Sequence, residues 1–334
     1  MPPPLLVETV LDKEPMNVAI EPIDLRGKAP LADRAFGLLV RIAGLLVLVI
    51  LGLIAVTMSS RGRPALSHMG LDFFFTKRWV VPDKIYGAGA FIAGTLMSAT
   101  IAVVLAVPVS LGIALFTTQV APGWMRTPIV YLTDLLAVVP SVVFGFWGVS
   151  YLAPNLVGFY RSMHTHFGGV PIIGHLFGPA SSGRTFFTAG LVLAIMITPI
   201  ITSLSREIIE TCPPGEREAA YALGANRWEM ITGAVMPHSK GGLVGAVMLG
   251  LGRAMGETIA ATLTIGGALG VVSANLFSSG NSMPAIIASD WGEADTLGKS
   301  ALVLLAVTLF VITILVNVAA TAVVSRSQRR TRGI

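Results

Sequence analysis

The sequence is poor in charged residues and holds a single cysteine. Charged residues make up only 12% of the 334 residues, against 54% for hydrophobic residues. A soluble chain of this length needs more polar surface than this to cover its cores. The lone Cys212 excludes an intrachain disulfide framework and a metal site built from several cysteines. The scarcity of charge therefore excludes an ordinary soluble protein and indicates a chain that lies in lipid.

Apolar residues are gathered into long runs, and the mean hydropathy is +0.77. Because a helix rises about 1.5 Å per residue, about 20 apolar residues cross the hydrocarbon layer. Runs of this length lie at residues 36–58, 88–117, 128–153, 185–205, 241–272 and 300–325. The sequence therefore predicts an all-α integral membrane protein with six transmembrane helices. Pro108, Pro140 and Pro199 lie inside the second, third and fourth runs, and each predicts a kink or local unwinding.

The distribution of Lys and Arg predicts the topology. These residues are more frequent in the segments that become cytoplasmic when the N-terminus is inside, which favours cytoplasmic positions for both termini. The same bias accounts for the pI of about 9.6 without nucleic acid. We therefore expect a cytoplasmic tail over residues 1–33, a first helix and outer loop over 34–84, and a basic cytoplasmic C-terminus over 326–334. Aromatic residues of the outer loop are expected at the membrane interface, namely Phe73, Phe74, Phe75 and Trp79.

The loop between the fourth and fifth runs carries its own signals. Tandem prolines after Cys212 stop the fourth helix. A short helix-forming stretch from Glu216 then ends at Gly224, and glycine is a natural helix end. Asn226, with Glu229 three residues later, is typical of a capping box that starts another helix. The segment 212–238 is therefore predicted to form a cytoplasmic helix–turn–helix, which by these signals alone could equally be an ordinary structured loop.

Two charges, Arg253 and Glu257, fall near the middle of the fifth run. A charge at the bilayer midplane costs about 2.5–3.5 kcal/mol, so such residues need a functional or structural reason. A spacing of four places both side chains on one face of a helix, with Thr264 nearly on that face. Arginine presents a planar fork of donors suited to oxyanions, and Gly252 and Gly256 beside it favour close approach of a second helix. The face therefore lines an anion path or, alternatively, holds an ion pair that fixes helix packing.

The loop also carries a recognisable motif. Glu218-Ala219-Ala220, followed after three residues by Gly224, resembles the EAA motif of the permease subunits of ABC importers. The resemblance implies the type I ABC importer permease fold, which is MetI-like. It also implies that the loop is a coupling helix seated in a cleft of a partner ATPase, with Glu218, Ala219, Ala220 and Gly224 as coupling residues. The family motif ends in Ile-x-Leu-Pro, whereas this chain has Ala234 and Met236 at the Ile and Leu positions.

Two further motifs sharpen the resemblance. The stretch Arg253-Ala-Met-Gly-Glu-Thr and the segment 139–148, Val-Pro-Ser-Val-Val-Phe-Gly-Phe-Trp-Gly, are similar to those of phosphate permease subunits of the PstC type. This resemblance covers residues 85–325, and it implies a permease core there in which Arg253 and Glu257 take part in phosphate transport. It implies a sister permease of the PstA type, a cytoplasmic ATPase dimer of the PstB type and an extracytoplasmic phosphate-binding protein of the PstS type. It also implies a multi-pass protein of the prokaryotic inner membrane.

Other functions stay open on the sequence alone. Importers of sulfate and molybdate share the arginine motif, the PstA type is a close sister, and midplane charges also fit a secondary transporter. Glu293 stands where the P-loop pattern before Gly298-Lys-Ser needs its first glycine, which excludes an ATPase site of that kind. We therefore expect no enzyme activity and no cofactor on this chain, with ATP and Mg²⁺ used by the partner. No metal site is expected, since His164, His166 and His175 have no carboxylate or cysteine near them.

Overall fold

The computed structural model describes residues 31–171, 173–180 and 182–331. Residues 1–30 of the predicted N-terminal tail and residues 332–334 of the predicted C-terminus lie outside the described residues. The helices are α1 (Leu31–Met69), α2 (Asp72–Phe75), α3 (Gly89–Leu115), α4 (Gly123–Val138), α5 (Ser141–Trp147), α6 (Ala153–Phe167), α7 (Phe186–Glu210), α8 (Pro214–Ala222), α9 (Arg227–Met230), α10 (Met236–Gly256), α11 (Ile259–Thr264), α12 (Met283–Asp290) and α13 (Thr296–Thr331). Strands β1 (Trp79–Val80) and β2 (Ile85–Tyr86) pair antiparallel.

Five helical segments of the described part are long and apolar enough to cross a membrane. They are Asp33–Met69, Gly89–Val120, Ser141–Phe167, Phe186–Glu210 and Thr296–Ala322. Two of them contain π-helical turns: Gly148–Leu152 joins α5 to α6 without a break, whereas Phe116–Val120 extends α3 and ends at the extended residue Ala121. The prediction of an all-α membrane protein is therefore confirmed. The predicted fifth run, 241–272, is instead divided between α10, α11 and an irregular segment.

Helix α1 is longer than predicted. Its first part, residues 31–54, is a unit of its own whose apolar side chains are exposed, as expected for side chains that contact lipid. The helix continues to Met69, through a stretch that the sequence assigned to the outer loop. There the hydroxyl of Ser300 on α13 donates to the carbonyl oxygen of Arg61 (2.8 Å) and accepts from the backbone N–H of Ala65 (3.0 Å). These contacts hold the end of α1 against α13.

The prolines inside the predicted spans act differently from one another. Pro140 is the N-cap of α5 and follows the end of α4 at Val138, so the third predicted span is broken at that residue. The crossing segment therefore begins at Ser141 and ends at Phe167, later in the chain than the predicted 128–153. By contrast, α3 and α7 continue through Pro108 and Pro199. Of these three prolines, only Pro140 follows a helix end, consistent with its extended backbone.

The main core lies between α3 and α7. The contacting face of α3 is built from small buried residues that include Ala99, Ala102 and Ala106. On α7, a Cβ atom added to Gly190 would lie 2.5 Å from Cγ2 of Ile101, so only glycine permits this approach. Small residues allow helix backbones to approach closely, which is the principal way in which helices associate in lipid.

The aromatic residues between α1 and α3 form a buried cluster. Phe73 and Trp79 are buried, and the rings of Trp79 and Tyr86 meet edge to face, with centroids 5.0 Å apart. The Tyr86 hydroxyl donates to Oδ1 of Asp295 (3.3 Å), and burial together with this carboxylate raises the pKa of Tyr86. Phe73 and Trp79 therefore pack inside the protein instead of presenting their rings to lipid headgroups, and their predicted position at the depth of the membrane interface stays a prediction. Phe75, by contrast, is exposed.

The segment between α11 and α12 is irregular and folds back onto α7. The backbone N–H of Gly280 donates to the carbonyl oxygen of Ile265 (3.1 Å). The N–H groups of Phe186 and Phe187, in the first turn of α7, donate to Ser278 and Leu276. These bonds satisfy donors that a helix start otherwise leaves unpaired. Irregular backbone of this kind is tolerated at membrane depth only where protein surrounds it or where it lines a cavity.

Candidate functional site

The predicted anion site lies where α10 ends. Arg253 is in the last turn of α10, and the helix stops at Gly256. Glu257 is extended, with φ of −72° and ψ of 125°, so it does not continue the helical face. The prediction that Arg253 and Glu257 share one face of a continuous helix is therefore wrong. Glycines at 250, 252 and 256 explain the early end, since each one weakens a helix relative to alanine.

The side chains of Arg253 and Glu257 are available for other partners. Arg253 is exposed and Glu257 is half-buried. Within the described part of the chain, neither side chain makes a hydrogen bond or an ion pair. The alternative that these two residues form an ion pair that fixes packing within this chain therefore lacks the required contact.

An open stripe of small and apolar residues surrounds Arg253. A Cβ atom added to Gly252 or to Gly256 would meet nothing within 4 Å. Leu249 and Ile259, on either side of the glycines, are exposed. Glycines four residues apart with open space above them form a surface that a second membrane helix can approach closely. The predicted close approach at this pair is thus not made by residues 31–171, 173–180 or 182–331, and the stripe is open to another subunit.

The short helix α11 follows the end of α10, and its C-terminal carbonyls are bound by Arg184, a residue far away in the sequence. The Thr258 hydroxyl donates to the carbonyl oxygen of Gly256 (3.4 Å). The guanidinium of Arg184 donates through Nε to the carbonyl oxygen of Leu263 (2.9 Å) and through Nη2 to that of Thr262 (3.3 Å). A cation at the C-terminal end of a helix satisfies its free carbonyls and its dipole. Arg184 therefore positions α11, a role that the sequence did not reveal.

Helix α11 packs closely against α5. A Cβ atom added to Gly145 would lie 2.8 Å from Cδ1 of Leu263 and 3.0 Å from Cα of Ala260. Gly148 similarly faces the Thr264 side chain, which is buried rather than aligned with Arg253 as predicted. The glycines of the 139–148 motif thus allow the contact between these two helices.

We expect Gly145→Val to destabilise this contact, because the Ala260 backbone cannot move aside as a flexible side chain can. Overpacking of this kind costs about 1–3 kcal/mol. The loss should appear as a lower midpoint of thermal unfolding for the purified chain in detergent. Gly158→Val is the matched control, since a Cβ there meets nothing within 4 Å. Equal midpoints for the two variants would contradict the close packing.

The predicted helix–turn–helix is confirmed. Helix α8 ends in a Schellman motif, in which Gly224 N–H donates to Tyr221 and Ala225 N–H donates to Ala220. Gly224 has a φ of +85°, a conformation that favours glycine. The predicted capping box is also formed, since the Asn226 side chain accepts from the Glu229 N–H and the Glu229 carboxylate accepts from the Asn226 N–H.

The surface of this loop is unusually apolar for an exposed segment. Glu218 and Ala219 are exposed, whereas Ala220 is partly buried against the core below. Three large side chains stand in solvent, Tyr221, Leu223 (89% exposed) and Trp228. Exposed apolar groups collected in one place mark an interaction surface. The base of the loop is fixed by Arg217, whose guanidinium donates to the carbonyl oxygen of Ile209 (2.9 Å).

The residues that partly match a P-loop, Gly298 and Ser300, make structural hydrogen bonds within the chain. Gly298 and Ser300 lie at the start of α13, where the Gly298 N–H donates to Oδ1 of Asp295 (2.7 Å). Ser300 is engaged by α1 as described above, so its hydroxyl is not directed at a ligand. His164 and His166 lie at the end of α6 and contact the carbonyl oxygens of Phe177 and Ser162.

Comparisons with known proteins agree with one another. The profile of the family "Binding-protein-dependent transport system inner membrane component" matches residues 106–332. The Phosphate transport system permease protein PstC of Xylella fastidiosa strain Temecula1 is 42% identical over 300 residues, covering 90% of this chain and 92% of that protein. The protein of the same name from Haemophilus influenzae is 39% identical over 286 residues, covering 85% and 90%.

One solved structure resembles the fold. A bacterial ABC transporter involved in the import of the acidic polysaccharide alginate contains a chain that matches with a TM-score of 0.52. The match covers 87% of this chain and 95% of that chain, at 16% sequence identity. At this identity the likeness extends to the fold alone.

Proposed function

Because the chain belongs to the binding-protein-dependent inner membrane transport components, and among them to the phosphate transport permease proteins of the PstC group, we propose that it is the membrane-spanning subunit of an ATP-driven phosphate importer. The observation that carries the proposal is the extent of the similarity, which runs over nearly the whole chain. As a permease subunit the chain is a transport component and not an enzyme. The following paragraphs derive what its own residues contribute.

Arg253 and Glu257 are proposed as residues of the substrate pathway. The exposed guanidinium offers a fork of charged donors to a tetrahedral oxyanion. The end of α10 places both charges at an interrupted helix, the kind of element that forms substrate sites in many transporters. Glu257, the first residue after α10, adds a negative charge at the same helix break, which would limit how tightly an anion is held and favour its release.

The pathway is completed by a sister permease of the PstA type. The open stripe around Arg253, with Gly252 and Gly256, supports this proposal because nothing within the described chain covers it. A second helix packed on the glycines would enclose the guanidinium between two subunits. Arg253 would then face a path between proteins instead of lipid.

A cytoplasmic ATPase dimer of the PstB type supplies the energy. We propose that it receives α8, with Glu218, Ala219, Ala220 and Gly224 as the coupling residues. The exposed Tyr221, Leu223 and Trp228 extend this surface. ATP and Mg²⁺ are used by the partner, and movement of α8 is passed to α10 through α9 and the π-helical turn Ile231–Val235, which runs into α10. An extracytoplasmic phosphate-binding protein of the PstS type delivers the anion on the opposite face.

The proposed location is the inner membrane of a prokaryotic cell, with both termini in the cytoplasm. The excess of Lys and Arg in the segments assigned to the cytoplasm supports this orientation. It places α8 and α9 in the cytoplasm, where an ATPase can reach them. Residues 85–325 then form the permease core, with the coupling loop at 212–238.

Transport by the reconstituted complex tests the proposal. The chain, the sister permease, the ATPase and the binding protein are placed in liposomes, and uptake of labelled phosphate, sulfate and molybdate is measured. We expect ATP-dependent uptake of phosphate that survives collapse of the proton gradient. Preferred uptake of sulfate or molybdate would assign another oxyanion, and uptake driven by an ion gradient without ATP would assign a secondary transporter.

A further inference from the structure

Three different metal-binding side chains meet at the base of the coupling loop. The thiol of Cys212 lies 3.8 Å from Oε2 of Glu216, and Nδ1 of His238 lies 3.3 Å from the same oxygen. The three ligand atoms all lie within 4.8 Å of one another. A thiol, a carboxylate and an imidazole in one cluster form a donor set that transition metals of the zinc class prefer.

Each ligand comes from a different structural element. Cys212 follows the end of α7, Glu216 is in the first turn of α8, and His238 is in the first turn of α10. The chain is held in this arrangement by Pro213 and Pro214, which begin α8, and by the core that buries Cys212 with Ile209, Met230 and Val235. The thiol position is therefore fixed by packing before any ligand arrives.

The spacing suits a tetrahedral ion. Zinc bonds of about 2.0–2.1 Å to nitrogen and oxygen and about 2.3 Å to sulfur separate neighbouring ligand atoms by about 3.3–3.6 Å. The observed separations from Oε2 of Glu216, 3.3 Å to Nδ1 of His238 and 3.8 Å to the Cys212 sulfur, are close to these values. The sulfur and the imidazole lie within 4.8 Å of each other, so side-chain rotations would bring them together around an ion. Cys212 is 2% exposed, whereas the side chains of His238 and Glu216 are 33% and 46% exposed. An ion can therefore enter from the solvent side and keep a water molecule as its fourth ligand.

We propose that Cys212, Glu216 and His238 form a binding site for one Zn²⁺-class cation, which joins the coupling helix α8 to α10. On binding, the thiol proton passes to solvent and the thiolate becomes a ligand, while Glu216 and the neutral His238 exchange their contact with each other for bonds to the ion. A bound ion would restrain α8 relative to the helix that carries Arg253. The expectation from sequence of no metal site considered sites with several cysteines and the outer histidines, but not a cluster of one cysteine with Glu216 and His238.

The site is tested by titrating the purified full chain with Co²⁺, which reports sulfur ligation through its charge-transfer absorption. We expect one ion per chain with a thiolate band, and no band in Cys212→Ser. Glu216→Gln and His238→Asn should each weaken binding by at least about 10- to 100-fold, the loss seen when even the outer partners of metal ligands are removed. Both side chains are partly exposed, so these variants should fold. His175→Asn is the matched control and should bind as the parent does.

A second measurement tests whether a bound ion restrains α8 relative to α10. Hydrogen exchange of the α8 amides should slow on addition of Zn²⁺ in the parent chain and stay unchanged in Cys212→Ser. Three results would overturn the metal site: no Co²⁺ binding, Co²⁺ binding without a thiolate band, or binding that is unchanged in His238→Asn. In each case Cys212, Glu216 and His238 would be a polar cluster without a metal. Unchanged exchange with a bound ion would overturn the restraint. These readouts need no transport, so they stand apart from any failure of the proposed phosphate import.

Discussion

Arg253→Gln should reduce phosphate uptake by about 10- to 100-fold while the complex still assembles. A hydrogen bond to a charged group contributes about 1.5–3 kcal/mol, and glutamine retains the length of a polar side chain but loses the charge and the fork. Because the Arg253 side chain is exposed and makes no hydrogen bond or ion pair within the described chain, its replacement leaves no buried polar group unpaired there. Initial rates of labelled phosphate uptake, in cells whose only copy is the variant, measure the effect.

Two further variants separate charge from geometry at this position. Arg253→Lys keeps the charge without the planar fork, so its uptake should fall between that of the parent and that of Arg253→Gln. Arg161→Gln removes an exposed arginine from α6 and should leave uptake unchanged. Normal uptake by Arg253→Gln, with the variant present in the membrane at the parental amount, would remove Arg253 from the pathway.

Gly224→Asp should stop the ATPase from co-purifying with the permease. The residue has a φ of +85°, so a side chain strains the end of α8, at a cost of about 1–3 kcal/mol. The substitution also adds a carboxylate next to Leu223, which is 89% exposed on the proposed docking surface. Since nothing lies within 4 Å of an added Cβ, the rest of the chain should fold normally. Pull-down of the ATPase with a tagged permease measures the loss.

Gly224→Ala and Gly233→Asp identify the cause. The alanine variant carries the backbone strain without the charge, and it should weaken co-purification less than aspartate does. Gly233 lies in the π-helical turn Ile231–Val235, also with open space around it, and an aspartate there should leave the ATPase bound. Retention of the ATPase by Gly224→Asp would place the docking surface elsewhere on the cytoplasmic face.

The coupling loop could be predicted in detail because its signals are local. The proline stop, the glycine end and the capping box each depend on residues no more than a few positions apart, and all three appear in the structure. Helix existence was equally predictable, since long apolar runs have no other stable conformation in lipid. These features are set by backbone chemistry within one or two turns.

The site around Arg253 could be predicted only in part. Hydropathy identified an apolar run over 241–272 but not the break at Gly256, because an average over many residues does not register a local helix end. The support that Arg184 gives to α11 joins residues 79 positions apart, which no local pattern indicates. The same is true of Phe73 and Trp79, whose burial depends on the return of the chain through β2. Tertiary contacts decided each of these cases.

The uncovered arginine at the end of α10 also bears on how the cell balances its subunits. If α10 carries Arg253 to the depth of the hydrocarbon layer, as the apolar run 241–272 predicts, a charge left facing lipid costs about 2.5–3.5 kcal/mol, and a partner helix packed on Gly252 and Gly256 would remove that penalty. A lone copy is then less stable than an assembled one by roughly that amount. Membrane proteases that degrade the less stable species would then remove surplus copies selectively, and the amount of this chain would follow the amount of its partner.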